Sequence, residues 1–453
     1  MRLKSIQEQY FDFTEKSTLK VVTEYREKYW ALSEMLDENP DLLTLAHRDW
    51  AKLLSSSREG RAGYTSEQLL RALLVMFIEG DSYRDVVIRI DTSEFLRHFV
   101  RLGFKPTMDF TFLNKAFCVL SAKTLEAMNQ GVAGYAIAQG KISGEKQRLD
   151  TTVYETNIHY PTDSSLLWDS FRTLSRLLHE IQKELPQLDL DHRFHDRKVK
   201  KLATFIARNA SSKRKATVRQ VKHHYRLLIQ RVRWIHGIGQ TVLAQIQAIG
   251  KEAQELAHYL PLVHRIMTQA DQRVLQGLSV PADEKLYSLF EEHTELIQRG
   301  KARKPIEFGH KVMLAQTAEK FIHHYQVLPR RREDRDLLAP ALQAHQALFG
   351  QYPDVLATDK GFYENMGQIH LLAAHIRTVS IPKKGRRNPQ ENERETAEAF
   401  VSGQRFRAGV EGSISVLKRA FKLGCCLFKG FRHYAASVGL AVLCHNLVLL
   451  TRL

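Results

Sequence analysis

Three carboxylates stand where the surrounding residues make a carboxylate costly. Glu411 lies in FRAGVEGSISVLKRAF, residues 406–421, which reads as a helix because Val410, Ile414, Leu417 and Phe421 recur as one buried stripe. Arg407, Glu411 and Lys418 form a second stripe, about 70° round from the first at roughly 100° per residue. A carboxylate between two cations at the rim of an apolar face has two readings. One is an ion-pair ladder on a solvated edge; the other is a ligand completing a metal site. Asp150 sits in KQRLDTTVYETNIHY, residues 146–160, a strand by its Thr, Val, Tyr and Ile content. Asp is disfavoured in strands. Asp359 ends DVLATDKGF, a strand running into a Gly turn. Metal-assisted phosphodiester cleavage needs hard oxygen ligands of this kind. Two such ions a few Å apart activate the attacking hydroxyl and stabilise the leaving oxygen. Clustered carboxylates repel one another unless cations neutralise them, and Arg407 and Lys418 suit that task or phosphate contact.

The elements that must bring these groups together follow from periodicity. YPTDSS breaks the first strand, and residues 165–300 return to long helical patterns. PIEFGHKVMLAQ and FIHHYQVL read as strands, DRDLLAPALQAHQALFG as a helix ended by Gly350, and ENMGQIHLLAAH as a helix. RTVSIPKK reads as a strand, KKGRRNPQENE as a charged loop, and residues 396–422 as the last helix. Without 165–300 the order is βββαβαβα, a five-stranded mixed sheet with helices on its faces. The first and fourth strands can then be neighbours with the last helix crossing beside them. Asp150, Asp359 and Glu411, separated by 209 and 52 residues, would converge at one sheet edge.

The chain has 453 residues, long enough for two or three domains, and 43% of them are hydrophobic. A net charge of +17 fits a polyanionic partner, nucleic acid before others. Residues 193–233 carry fourteen Lys and Arg against one acid, Asp196, with Phe194, Phe205 and Tyr225 interleaved and Trp234 just beyond. A solvated helix face normally balances its signs, so phosphate contact by Lys198, Lys200, Lys201, Lys213, Arg214 and Lys215 is the expectation. Cys118, Cys425, Cys426 and Cys444 lack zinc spacing and any disulfide framework, which points to a reducing cytosol. The first residues contain no apolar signal region. The last 18 residues are apolar but carry Ser437, His445, Asn446 and Arg452, and are expected to form a buried helix.

Near the N-terminus, Thr65 with Gln68 makes a capping box before LLRALLVMF, Gly80 ends that helix, and Asp81-Ser82 and Thr92-Ser93 can cap two more. Short helices with tight turns fit a helix-turn-helix array or an ordinary bundle. Trp30 and Trp50 are expected anchors. Asp189, Asp191, His192, His195 and Asp196 match no closed metal site and read as solvated. His223-His224 and His323-His324 read as surface or phosphate-facing residues. Asp163 reads as the cap of the following helix, and Glu155, five residues from Asp150, falls on the opposite strand face. Arg330-Arg331-Arg332, Lys383-Lys384 and Arg386-Arg387 could grip phosphate or be solvated loops. No P-loop, HExxH or Gly-x-Ser-x-Gly motif is present, so nucleotide hydrolysis is not supported.

The segments LDTTVYETNIHYPTD, VLATDKGFYENM and RAGVEGSISVLKR resemble the catalytic blocks of bacterial insertion-sequence transposases of the DDE type, and GYTSEQLLRALLVMFIEGDSYRDVVIRI resembles their helical N-terminal domain. In related families the last block holds Tyr, Arg, Glu and Lys with gaps of two, three and six residues. Arg407, Glu411 and Lys418 keep those gaps, while the tyrosine position holds Gln404, which puts the tyrosine's strand-positioning role in question. The resemblance implies a ribonuclease H-like α/β core with a helical DNA-binding region at 1–140. The core is split into 141–164 and 301–453 by a basic helical insertion at 165–300. It implies two Mg²⁺ ions, replaceable by Mn²⁺, on Asp150, Asp359 and Glu411, and Arg407 and Lys418 at DNA. The expected activity is cleavage at element ends and transfer of the freed 3′-hydroxyl into target DNA. The partners would be double-stranded terminal repeats and target DNA, with a dimer or larger assembly on the bacterial nucleoid and no membrane. A DNA-binding protein without cleavage, or a metal-dependent nuclease or resolvase without integration, are the rival readings.

Overall fold

The computed structural model describes residues 19–52, 63–188, 193–246, 250–298 and 305–453. The elements begin with helices α1 (Lys20–Glu38), α2 (Pro40–Ala51), α3 (Ser66–Ile78), α4 (Tyr83–Thr92), α5 (Glu94–Phe99), α6 (Phe110–Val119) and α7 (Ala122–Ala138), then strand β1 (Lys146–Thr156). Helices α8 (Asp163–Glu184), α9 (Asp196–Asn209), α10 (Lys215–Ile246) and α11 (Lys251–Ala270) follow, then β2 (Glu295–Gln298), β3 (Ile306–Gln316) and β4 (Ile322–Val327). The chain continues through α12 (Leu338–Phe349), β5 (Val355–Ala357), α13 (Met366–Ala373), β6 (Thr378–Ser380), α14 (Pro389–Thr396), α15 (Glu398–Ala420), β7 (Cys425–Cys426) and α16 (Phe431–Leu450). The fold is mixed α/β and mostly helical. It divides into two compact units: one runs to Glu155 and resumes at His310, the other spans Thr156–Gly309.

In the first unit the strands lie in the order β4–β3–β1–β5–β6, with β7 also beside β1. β3 and β4 are antiparallel, Leu314 opposite Tyr325. β1, β5 and β6 are parallel, with Arg148 opposite Ala357 and Ala357 opposite Ser380. The period of two sorts β3 onto two faces. Val312 and Leu314 join a core with Tyr154, the N-terminal helices and α16, whereas Met313 and Ala315 join one with Leu149, Leu356 and α12. The N-terminal helices are therefore not a body of their own. Leu73, Phe77 and Trp50 share one apolar core with Leu440 and Leu443 of α16. The capping boxes at Thr65–Gln68 and Ser82–Asp85 form, and Gly80 takes a left-handed φ of 70° after α3. Trp50 is buried and donates to the Ala116 carbonyl at 2.8 Å, but Trp30 lies at the surface.

Helix α16 is long and apolar enough to cross a membrane, yet most of it is buried inside this unit. Its polar residues are anchors. Asn446 donates to the Ile322 carbonyl at 2.8 Å and accepts from the Ile322 N–H at 3.0 Å, while Gly439 leaves no room for a Cβ against Tyr325 and Leu125. None of the four cysteines is in a disulfide among the described residues.

The second unit packs α8, α9, α10 and α11 around Phe171, Leu174, Ile206, Leu228, Val232, Leu256 and Val263. The region is not wholly helical: β2 pairs antiparallel with Ile306–Gly309. Two further readings need correction. KKGRRNPQENE is not all loop, because Asn388 caps α14 in a box with Glu391 and Pro389 sits at its first position, where a missing N–H costs nothing. Thr162, not Asp163, caps α8; Asp163 is instead ion-paired to Arg273 at 2.7 Å.

His323 is buried rather than at the surface, because its place on β4 turns it inward. It lies 5.1 Å, ring to ring, from His345, whose Nε2 faces the Gly144 carbonyl at 3.0 Å. Burial holds His345 at about 4 and drives His323 well below its ordinary value. Both are therefore neutral when folded and take up protons on unfolding as pH falls below about 6.5. Stability should be intact above that pH and fall as pH drops toward 4, by on the order of 3 kcal/mol for His345 alone. Denaturant melts at pH 7, 6 and 5 should show this fall, and His345→Gln should flatten it.

Candidate functional site

The parallel pairing of β1 and β5 places the first two carboxylates. Arg148 lies opposite Ala357, and two residues further along each strand come Asp150 and Asp359. Asp150 is buried; its Oδ1 accepts the Thr151 N–H at 2.7 Å and its Oδ2 accepts from Arg407 Nη2 at 3.1 Å. Burial pushes the Asp150 carboxyl up from the usual range, Arg407 opposes that, and the charge of Asp359 adds to it. Asp359 is half-buried just past β5, where its Oδ1 accepts the Gly361 N–H at 2.8 Å and caps a short 3₁₀ turn, Lys360–Phe362. Asp334 closes in on the same turn: a Cβ at Gly361 would stand 2.7 Å from Asp334 Oδ2 and 3.0 Å from Asp359 Oδ1. Lys311 neutralises Asp334 at 2.9 Å.

Helix α15 brings the third carboxylate, and its buried stripe forms as the periodicity predicts. Val410, Leu417 and Phe421 are buried and Ile414 packs against the same core. The helix is stitched to the strand ends at several points. Gln404 Nε2 donates to the carbonyls of Thr358 at 3.2 Å and Ser380 at 2.8 Å, next to Asp359 and at the end of β6. Ser380 Oγ donates to the Phe400 carbonyl at 2.8 Å. Arg148 of β1 donates from Nη1 to the Phe406 carbonyl at 2.9 Å and lies over the Phe406 ring, and burial lowers its guanidinium to about 10. Gly409 is required there, since a Cβ would run into that guanidinium.

Glu411 itself points to solvent, its side chain 66% exposed, and pairs with Arg407 Nη2 at 3.3 Å. One guanidinium nitrogen thus touches both Asp150 and Glu411, while Arg407 Nε is buried without a hydrogen-bond partner. The Arg407–Glu411 stripe is thus an i, i+4 ion pair, and its guanidinium also reaches the strand carboxylate. Among the described residues no three His, Cys, Asp or Glu side chains are gathered closely enough to hold a metal ion. The donors are hard oxygens of the kind Mg²⁺ takes, and Asp150 and Asp359 adjoin. Glu411 stands off, across the guanidinium. Lys418 is half-buried, two turns further along α15.

In the second unit Lys198, Lys200 and Lys201 of α9, Lys213 and Arg214 of the turn, and Lys215 at the start of α10 are all exposed. None of the fourteen Lys and Arg of 193–233 forms an ion pair among the described residues. His223 is exposed, and His224 stacks on Phe205 with ring centroids 3.9 Å apart. Asp189, Asp191 and His192 lie outside the described residues, while His195 precedes α9 and Asp196 begins it. Arg330, Arg331 and Arg332 are exposed. Lys383 and Arg387 instead pair with the buried Glu391 and Glu395. The sequence reading missed Asp334, Arg148 and the tethering by Gln404. Only Arg148 left a local sign, a cation in an otherwise buried strand.

Two glycines of α15 make opposite predictions. Gly412 has open space around it, so Gly412→Ala should stabilise the protein by about 0.5–1 kcal/mol through helix propensity. Gly403 faces Ser380, whose Cβ lies 2.5 Å from where a Cβ would be, so Gly403→Ala should destabilise by about 1–3 kcal/mol and loosen the strand ends. Urea denaturation of both variants measures the two signs.

No family model matches the chain, and neither a curated protein nor a solved structure matches it.

Proposed function

We propose that this protein is a DDE transposase that cleaves the ends of a mobile element and transfers the freed 3′-hydroxyl strand into target DNA. The observation that carries the reading is the placement of Asp150, in the middle of β1, beside Asp359, just past the end of the adjoining parallel strand β5, with Glu411 of α15 reaching Asp150 through Arg407. The strand order β4–β3–β1–β5–β6, antiparallel on one side and parallel on the other, supports a ribonuclease H-like core. The three sequence blocks that resemble transposase blocks carry these same three carboxylates.

Asp150, Asp359 and Glu411 would hold two Mg²⁺ ions, with Mn²⁺ as a substitute. Bound there, such ions lower the pKa of a coordinated water or hydroxyl and stabilise the oxygen that leaves phosphorus. The chain's own residues do the rest. Asp150 and Asp359 would hold the ions, the Gly361 N–H orients Asp359, and Gln404 keeps α15 and Glu411 in register with β5 and β6. Arg407 and Lys418 offer cations to the backbone phosphates. The same carboxylates serve water in the cleavage step and the 3′-hydroxyl in the transfer step, so no covalent protein intermediate is needed. The exposed cations of α9 and α10 give the second unit a face for duplex phosphates, worth most at low salt. The N-terminal helices would add DNA contacts, and two ends held together imply a dimer or larger assembly in the bacterial cytoplasm.

A labelled duplex carrying the repeats that flank the gene tests this reading. Cleavage at the repeat end with Mg²⁺ and not with Ca²⁺, followed by strand transfer, is expected. Cleavage without transfer would favour a nuclease or resolvase; binding without cleavage would favour a DNA-binding protein. Asp150→Asn, Asp359→Asn and Glu411→Gln should each lower cleavage at least about a thousandfold, the loss of several kcal/mol of transition-state stabilisation, with duplex affinity nearly unchanged. Replacing Lys198, Lys200, Lys201, Lys213, Arg214 and Lys215 by Gln should weaken duplex binding and reduce the salt slope by roughly 0.9 for each phosphate that is no longer neutralised. An unchanged slope would return these residues to a merely solvated face.

A further inference from the structure

We infer that Arg407 is a resident counter-ion of the carboxylate site, which keeps divalent cations out until a DNA phosphate draws its guanidinium away. The inference rests on the reading of Asp150, Asp359 and Glu411 as a metal-binding set, and it concerns how that set is regulated. Three observations carry it. Arg407 Nη2 lies 3.1 Å from Asp150 Oδ2 and 3.3 Å from Glu411 Oε1, so one guanidinium nitrogen occupies both carboxylates that would serve as ligands. The three carboxylates are not gathered into a metal-holding group in this state. The buried Nε of Arg407 has no hydrogen-bond partner, so the guanidinium leaves one donor unsatisfied in this position.

The physics favours an exchange. Two adjoining carboxylates, one of them buried, need positive charge nearby. The guanidinium supplies it. A backbone phosphate offers the same guanidinium a two-pronged acceptor that can satisfy Nε as well as Nη2. Moving to it frees Asp150 and Glu411 together. The exchange needs only a side-chain rotation, because the backbone of α15 is fixed on either side of Arg407: Gln404 and the Phe406 carbonyl are tied to strand residues, and Val410 is buried. The consequence is reciprocal coupling, with DNA raising metal affinity and metal raising DNA affinity by the same factor. A site so built does not carry loaded metal while free of DNA, and so avoids idle hydrolysis.

The test is metal binding, measured with Mn²⁺ by isothermal titration on the full-length protein, with and without a saturating duplex that carries at the repeat end a non-cleavable phosphonate, the bridging oxygen of the scissile bond replaced by a methylene. Wild type should bind Mn²⁺ weakly alone and about tenfold more tightly with the duplex. Arg407→Gln should bind Mn²⁺ about tenfold more tightly than wild type without DNA, and the duplex should add little. Arg407→Lys, whose single ammonium reaches one carboxylate at a time, should fall between them, which guards against a Gln variant that fails to fold. If Asp150→Asn abolishes Mn²⁺ binding but Arg407→Gln and Arg407→Lys bind no more tightly than wild type, the counter-ion role is overturned and the metal-site reading stands. If wild type with DNA and Arg407→Gln both bind no Mn²⁺ that Asp150→Asn removes, the metal-site reading fails, and the counter-ion inference with it.

Discussion

A carboxylate buried beside another carboxylate must be given a cation, and the first unit is built around that requirement. Parallel pairing sets Asp150 and Asp359 side by side, and Arg407 answers Asp150 from a helix 257 residues along the chain. For that helix to deliver its guanidinium to one place, α15 must be held in rotation and height. Gln404 fixes it to Thr358 and Ser380, Arg148 fixes it to β1, and Gly403 and Gly409 let it approach closely enough for both. Removing any of these does not touch a carboxylate, yet each sets where the charge falls.

Cations serve two different ends in this chain. Some in the first unit are committed: Arg71 pairs with Glu67 and Asp37, Lys311 with Asp334, Lys383 with Glu391. In the second, α9 and α10 carry an excess that no acid answers among the described residues, held outward by an amphipathic packing in which Val199, Ile206, Leu228 and Val232 turn inward. Committed cations shape a site; uncommitted ones raise the local concentration of a polyanion.

Much of this was legible in the sequence because the signals were local. The Asp150 strand, the stripe through Val410 and Leu417, the Thr65–Gln68 box and the buried C-terminal helix each follow from spacing within a few residues. Helix α14 was equally local, and its Asn388-Pro389-x-Glu391 start was masked by reading charge as loop. The rest depended on partners far away in sequence. β2 is strand because of Ile306–Gly309, His323 is buried because β4 faces inward over α12, and the N-terminal helices lie with the sheet because α16 joins them in one core. No window of sequence contains the contact between Arg407 and Asp150.

The order of the strands has a consequence for how the chain is made. β1 leaves the ribosome first, but its hydrogen-bonded neighbours β3 and β5 come after the helices of the second unit. Until then β1 is an unpaired edge, the kind of surface that recruits other chains. A second unit with its own hydrophobic core can fold meanwhile, which shortens the flexible chain to be closed before β1 meets its partners. Damage to the core around Phe171 and Val232 should therefore prolong the time β1 stays unpaired and show itself as aggregation during synthesis.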